Sequence, residues 1–179
     1  IIGGDSAGAF LAAQFIINQT NPEYSKLTGI SPVMTKDQIK GALLFCGPYD
    51  FSLLVNLLGK NVESYRRSGM GKSIVDSILP FFAQRIGHAF LGEKNWSEND
   101  KWEMLSLRNY VTSDFPVTFL TDAKNISFEQ HAKGLAYELK QVNVEVTEVY
   151  YEAELSHEYQ FNLSTINEPS CSKPDLLTK

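Results

Sequence analysis

The sequence predicts an α/β fold in which a mostly parallel sheet is flanked by helices. Short apolar runs alternate with stretches of helical periodicity, which is typical of parallel strands joined by helical crossovers. The 179 residues are 43% hydrophobic and 12% aromatic, enough for one compact domain with a buried core. We therefore predict a single domain over residues 1–179, ending in a flexible tail at 168–179.

The first half of the chain reads as strand, helix, loop and strand. Ile1 and Ile2 end a buried strand, and after a glycine turn an apolar helix runs from Ser6 to about Asn18. Asn21-Pro22 opens a polar loop that extends to Asp37. The continuous apolar run at 41–46 then predicts a parallel strand that is covered on both faces.

The second half contains an insertion followed by two strand–helix units. Residues 51–102 carry interrupted helical patterns, and we predict a helical cap over the sheet there. A strand at 116–121 is followed by an acidic loop and a helix over 128–140. The β-branched and aromatic run at 144–151 predicts the last strand, with a short helix from 157 to 163 behind it.

The segment Gly4-Asp5-Ser6-Ala7-Gly8 fits the pattern Gly-x-Ser-x-Gly, which places a serine on a tight strand-to-helix turn. A side chain at either glycine would collide with a neighbouring strand or helix, and the turn presents the serine hydroxyl to a substrate. The N–H of Ala7, at the start of the helix, is a predicted oxyanion donor. The alternative is a glycine-rich helix start that Ser6 merely caps.

A serine nucleophile needs a base, and the chain offers three histidines. His88 lies in the predicted insertion and His131 inside a predicted helix, so both are interpreted as packing or surface residues. His157 follows the last predicted strand, at the edge where the strand's carboxyl end opens into a loop. The chain order serine, acid, histidine is that of α/β hydrolases, so His157 is the predicted base.

The net charge and the cysteine content limit the classes of partner and cofactor that the sequence predicts. The formal net charge of −5 provides no basic surface for nucleic acid, and no apolar run approaches the roughly 20 residues that span a bilayer. Cys46 and Cys171 form neither a disulfide framework nor a zinc motif, and we predict no metal site. A small-molecule substrate, no stable membrane insertion and a cytoplasmic location are the resulting expectations.

The elbow around Ser6, the strand ending Gly47-Pro48-Tyr49-Asp50, the helical insertion, the strand at 116–121 and His157-Glu158-Tyr159-Gln160-Phe161 together resemble the hormone-sensitive-lipase-like branch of α/β-hydrolase esterases. The resemblance covers nearly the whole chain. It implies hydrolysis of carboxylic esters through an acyl-enzyme, without a metal or an organic cofactor. The cap would shape the substrate pocket, and simple packing of its apolar residues onto the sheet is the alternative.

The acid of the triad has three candidates. In the resembled branch it lies in a Gly-x-x-Asp-Pro pattern a few residues beyond the strand, and that position falls on Asn125. An amide orients an imidazole but does not offset its positive charge. Asp122, at the strand edge, is our first choice, and Glu129, in the first turn of the next helix, is the other alternative. Each carboxylate also has a non-catalytic interpretation. Asp122 is then a solvated loop residue, and Glu129 is a favourable charge near a helix N-terminus.

The branch takes most of its oxyanion hole from a His-Gly-Gly loop upstream of the elbow, and neither that loop nor the early strands of the sheet are in this sequence. We therefore expect a longer enzyme, with a missing N-terminal segment or a second copy of the chain completing the sheet. The leading hypothesis is a serine esterase or lipase acting on small or lipid-like esters. The alternatives are a catalytically degenerate binding module and, within the same chemistry, a peptidase or thioesterase.

Overall fold

The sheet has four parallel strands. The computed structural model describes residues 1–53, 84–85, 87–98, 100–123, 128–151, 155, 157 and 159–161. Hydrogen bonds join the strands in their chain order, β1-β2-β3-β4. Their bounds are Ile2–Asp5 for β1, Ala42–Phe45 for β2, Thr118–Asp122 for β3 and Val146–Tyr150 for β4. The predicted parallel α/β architecture is confirmed.

The strand register aligns the carboxyl ends of all four strands. Asp5 pairs with Phe45, Phe45 with Thr121 and Thr121 with Val149, so these residues form one row across the sheet. The residues that follow each strand leave from the same edge. In open parallel sheets this edge is where ligands bind, so it is the place to look for a site.

Three α-helices lie wholly within the described residues: α1 over Ala7–Thr20, α2 over Pro22–Thr28 and α3 over Glu129–Gln141. Helix α1 packs on β1 and β2, and α3 packs on β3 and β4. Both helices also contact the short 3-10 turn Leu107–Tyr110, so they lie on the same side of the sheet. Their buried side chains recur at helical spacing, which seals this side of the core (Ala9, Phe10, Ala13, Ile16, Ile17, Ala132, Leu135, Ala136, Leu139).

Helix α2 corrects the prediction of a continuous loop from Asn21 to Asp37. The Asn21 side chain caps the helix by accepting the N–H groups of Glu23 and Tyr24, at 2.9 and 3.1 Å. Pro22 occupies the first turn, where its missing N–H costs nothing, and Gly29 ends the helix at φ 70°. Asn21-Pro22 therefore begins a helix. The residues that begin and end this short helix are of types that also occur in loops, so the sequence pattern indicated a loop.

Strand β1 continues further than predicted, through both glycines to Asp5. A Cβ atom on Gly3 would lie 2.9 Å from the Leu43 carbonyl oxygen of β2, so the absent side chain permits the close approach of the two strands. The predicted helix at 157–163 contains a single 3-10 turn, Tyr159–Phe161, within the described residues.

Most of the predicted cap and all of the predicted tail lie outside the described residues. The described parts of 51–102 contribute an aromatic cluster: the Phe51 ring lies 5.5 Å from Phe10, 5.8 Å from Phe90 and 6.0 Å from Trp96. Trp96 and Phe51 are fully buried, so this end of the segment is anchored on α1. Among the described helices, none has the length and apolarity to cross a bilayer.

Candidate functional site

Ser6 lies on the turn between β1 and α1 in a backbone conformation that side-chain-bearing residues rarely adopt, with φ 54° and ψ −122°. Both neighbouring elements hold it there. The Ser6 N–H donates to the Phe45 carbonyl of β2 at 2.9 Å, and its carbonyl accepts the N–H groups of Ala9 and Phe10 at 3.1 and 3.3 Å. The strained turn is therefore fixed from the sheet and from the helix.

The two glycines of the serine motif differ in the space that is available for a side chain. A Cβ atom on Gly4 would lie 2.2 Å from the Gly8 carbonyl oxygen and 2.7 Å from the Ala9 nitrogen, so only glycine fits. At Gly8 no described atom lies within 4 Å of the added Cβ. The expectation that a side chain collides at both positions is therefore right for Gly4 and wrong for Gly8, which faces outward at the start of α1.

His157 is in hydrogen-bond contact with Ser6, from which it is separated by 151 positions in the sequence. Its Nε2 lies 2.9 Å from the Ser6 Oγ. When the imidazole proton is on Nδ1, Nε2 accepts the hydroxyl hydrogen, which is the geometry for removing it. The structure thus brings together the serine and the histidine that the sequence singles out.

The His157 imidazole also contacts an aromatic ring. Phe128, which precedes α3, packs edge-to-face on His157 with ring centroids 5.7 Å apart, and on His131 at 5.3 Å. Its backbone N–H donates to the Asp122 Oδ1 at 3.2 Å. One residue therefore contacts the predicted base through its ring and the predicted acid through its backbone.

Nδ1 of His157 is buried and has no hydrogen-bond partner within the part of the chain that the structure describes. Asp122 ends β3 at the sheet's carboxyl edge and is 1% exposed. Glu129 instead forms an ion pair with Lys133 one helical turn on, at the surface of α3. Asn125 lies outside the described residues. The three candidate acids are thus a buried carboxylate, a surface ion-pair member and a residue whose position stays a prediction.

The remaining two histidines have other surroundings. His88 is exposed. His131 is fully buried, its Nδ1 accepts the Asp50 N–H at 3.1 Å, and burial lowers its pKa to about 4. The imidazole is neutral at neutral pH, and it supports the loop after β2, where Asp50 pairs with the Arg108 Nε at 2.8 Å.

The negative charge of Asp122 contributes to the raised pKa values of two neighbouring tyrosines. Burial raises the pKa of Tyr49 well above its usual value, and the negative charge of Asp122 adds to the shift. The pKa of Tyr150 is raised mainly by burial and by its hydrogen bond to Glu148, with a smaller contribution from Asp122. Both phenols therefore stay protonated at neutral pH beside a buried carboxylate.

The predicted oxyanion donor lies at the first position of α1. Ala7 is exposed, and the intrahelical bonds to the Ser6 carbonyl begin with Ala9 and Phe10, so the Ala7 N–H belongs to the first-turn amides that a helix leaves unused. Positive partial charge accumulates at this helix end. Within the described ranges, no group of three or more His, Cys, Asp or Glu side chains is arranged to hold a metal ion.

The chain segment that carries His157 is held by two residues, Tyr159 and Gln160, to which the sequence analysis assigns no role. The Tyr159 hydroxyl lies 2.6 Å from the Thr121 Oγ1 of β3, and the Gln160 Nε2 donates to the Asp5 Oδ1, next to Ser6. Their closeness to His157 in the sequence was the only signal, and it is a weak one, because hydrogen-bonding side chains are common in any loop.

No protein-family model matches the sequence, and no curated protein matches it. Solved structures do match. Esterase B from Lactobacillus rhamnosis aligns with TM-score 0.58 and 19% identity over 88% of this chain and 44% of its own. An esterase from Rhizomucor miehei aligns with TM-score 0.55 and 25% identity, over 92% and 48%. Carboxyl esterase 2 from Tuber melanosporum aligns with TM-score 0.56 and 15% identity, over 94% and 48%.

These likenesses, together with the parallel sheet and its flanking helices, show that the chain has the α/β-hydrolase fold. The chain spans about half the length of the esterases that it matches. Esterase B has also been crystallised with a tributyrin phosphonate inhibitor.

Proposed function

We propose that the protein is a serine hydrolase that cleaves carboxylic esters. The observation that carries the proposal is the 2.9 Å contact between the Ser6 Oγ and the His157 Nε2, with the serine on a strained turn at the carboxyl edge of the sheet. Backbone strain of this kind is retained where function requires it. The esterase names of the matched structures agree with this chemistry.

In the proposed reaction the Ser6 Oγ attacks the ester carbonyl carbon while His157 Nε2 takes the hydroxyl proton. The resulting tetrahedral oxyanion collapses, the bond to the alcohol oxygen breaks, and His157 returns the proton to the leaving alcohol. Water then attacks the acyl-serine with the same base, which releases the acid and restores Ser6. The Ala7 N–H is the proposed oxyanion donor from this chain.

Asp122 is the proposed acid that steadies the imidazolium. It is a buried carboxylate at the end of β3, and it shares Phe128 with His157 through the contacts described above. A buried negative charge stabilises a neighbouring imidazolium more strongly than an exposed one, because solvent screens it less. Glu129 fits the role less well, since its carboxylate already pairs with Lys133.

Exchanging the acid and amide candidates separates Asp122 from Asn125. If Asp122 is the acid, Asp122→Asn lowers kcat about 10⁴-fold, while Asn125→Asp leaves it within a few-fold. If the acid of the triad instead belongs at position 125, Asn125→Asp raises kcat. Steady-state hydrolysis of p-nitrophenyl butyrate measures both variants, and Glu129→Gln is the matched control that we expect to retain activity.

Small or lipid-like esters are the proposed substrates. The inhibitor bound to esterase B is a phosphonate analogue of a short-chain triacylglycerol, so short acyl chains are the first to test. Thioesters and peptides share the acyl-enzyme route and are the competing substrate classes. We further propose that the enzyme acts in the cytoplasm, and that an N-terminal segment or a second copy completes its sheet.

A fluorophosphonate probe tests the proposed function directly. We expect the probe to label the protein at one serine, and Ser6→Ala to abolish labelling, because no other hydroxyl of the described residues contacts His157. Intact mass spectrometry with peptide mapping measures the adduct. Ser52→Ala, which removes a serine hydroxyl bonded to Asp50, is the control and keeps its labelling at Ser6. Absence of any adduct in the unaltered protein would contradict the proposal.

A binding module without turnover is the second candidate. It is favoured by one observation, the buried Nδ1 of His157 that has no partner among the described residues. Without an acid at that atom the imidazole is not held in the tautomer that accepts the serine proton. Slow or absent labelling, together with tight binding of an uncleaved ester analogue, would distinguish this function from the esterase.

A further inference from the structure

The segment that carries His157 is attached to the sheet at three described points. Leu155 and Tyr159 are each 6% exposed and pack with Cys46 and Ala123 in a small hydrophobic cluster of their own. Cys46 and Ala123 directly follow β2 and β3. The apolar contacts therefore hold both flanks of His157 down on the carboxyl edge of the sheet.

The Tyr159 hydroxyl adds a directional contact to β3. The Thr121 Oγ1 donates its single hydrogen to the Val149 carbonyl at 2.7 Å. Toward Tyr159, 2.6 Å away, Thr121 can therefore only accept, and the phenol must be the donor. This bond fixes the height of the segment above β3 and β4, but it does not reach the serine turn.

Gln160 makes the connection to the serine turn. Its Nε2 donates to the Oδ1 of Asp5, the residue directly before Ser6. Its Oε1 is buried and has no partner among the described residues. The amide orientation follows from the chemistry, because the opposite orientation would place a carbonyl oxygen against a carboxylate. A hydrogen bond to a carboxylate is also stronger and shorter than one between neutral groups.

We infer that Gln160 is a positioning residue, which sets the distance between the His157 imidazole and the Ser6 hydroxyl by tying the histidine segment to Asp5. The inference rests on the proposed function. Gln160 touches no reacting atom. It connects the segment of the base to the turn of the nucleophile, so a shift of either carries the other with it. An error of about 1 Å between reacting groups costs on the order of 100-fold in rate.

The test compares Gln160→Leu and Gln160→Glu with the unaltered enzyme. Gln160→Leu keeps the approximate volume and removes the donor, so we expect kcat to fall about 10- to 100-fold with KM nearly unchanged. Gln160→Glu places a second carboxylate against Asp5 and lowers kcat at least as far. The matched control is Gln141→Leu, the same substitution at the exposed end of α3, which retains full activity.

Exchanging the two partners distinguishes positioning from packing. In the double variant Asp5→Asn with Gln160→Glu, the amide and the carboxylate change sides, and an amide N–H again donates to a carboxylate. We expect most of the kcat lost in Gln160→Glu to return. A loss that the exchange does not reverse, or a Gln160→Leu variant with unchanged kcat, would overturn the inference.

A spectroscopic readout keeps this test separate from the proposed function. If the unaltered protein has no activity and does not react with the fluorophosphonate, the proposed function fails. The inference is then decided by the ¹⁵N resonance of His157 Nε2. Ser6→Ala should shift this resonance in the protein with Gln160 and much less in the Gln160→Leu variant. Equal shifts in both backgrounds would overturn the positioning role.

Discussion

His157→Ala should lower kcat about 10⁴-fold or more while leaving KM nearly unchanged. The Ser6 hydroxyl loses the only described group that lies within 3 Å and can take its proton. Removing one member of a serine–histidine pair costs about as much as removing the whole machinery, because the members act as a unit. Initial-rate hydrolysis of p-nitrophenyl butyrate measures the loss, and the rate of fluorophosphonate labelling should fall in parallel.

His88→Ala is the matched control for this prediction. His88 is exposed, so truncating it should leave both kcat and the labelling rate unchanged. Ser6→Ala combined with His157→Ala should be no slower than either single variant, since each already disables the pair. Additive losses in the double variant would show that the two residues work independently, contrary to their contact.

Gly4→Ala should destabilise the protein by about 3 kcal/mol or more and remove its activity. The new methyl group would overlap the Gly8 carbonyl. No rotamer change relieves the contact, because the backbone fixes the position of a Cβ atom and the carbonyl is itself a backbone group. Relief would require α1 to move away from β1, which displaces Ser6 from His157. Urea unfolding measures the stability, and labelling of Ser6 measures the displacement.

Gly8→Ala is the counterpart of this substitution in the same motif. Its methyl group meets no described atom, and alanine favours a helix over glycine by up to about 1 kcal/mol. We expect unchanged or slightly higher stability and retained labelling. Equal behaviour of the two alanine variants would refute the steric role of Gly4.

The sequence predicts the sheet well and singles out two residues, Ser6 and His157, that the structure places in contact, because both predictions depend on local patterns. Apolar runs identify β2, β3 and β4, and the serine motif together with a histidine after the last strand identifies two residues in contact. The predicted bounds of β1 are less accurate, because glycine is normally disfavoured inside strands. Only the close packing of Gly3 against Leu43 explains why glycine occurs in this strand.

What sequence reasoning missed depends on the path of the chain. The contact of Gln160 with Asp5 spans 155 positions, and nothing in either residue's neighbourhood indicates the other. Helix α2 was missed for the opposite reason, because Asn21, Pro22 and Gly29 did carry local signals that also occur in turns. The identity of the acid depends on the exact course of the loop after β3, which spacing alone does not specify.

The wide sequence separation of Ser6 and His157 has a consequence for how the site is made. Bringing them together closes a loop of 151 residues, and the entropic cost of that closure is recovered only when β4 has joined β3. Reactivity at Ser6 should therefore emerge last during refolding, after the signals of secondary structure and core burial. A serine-directed probe would in effect report on completed chain assembly as well as on chemistry.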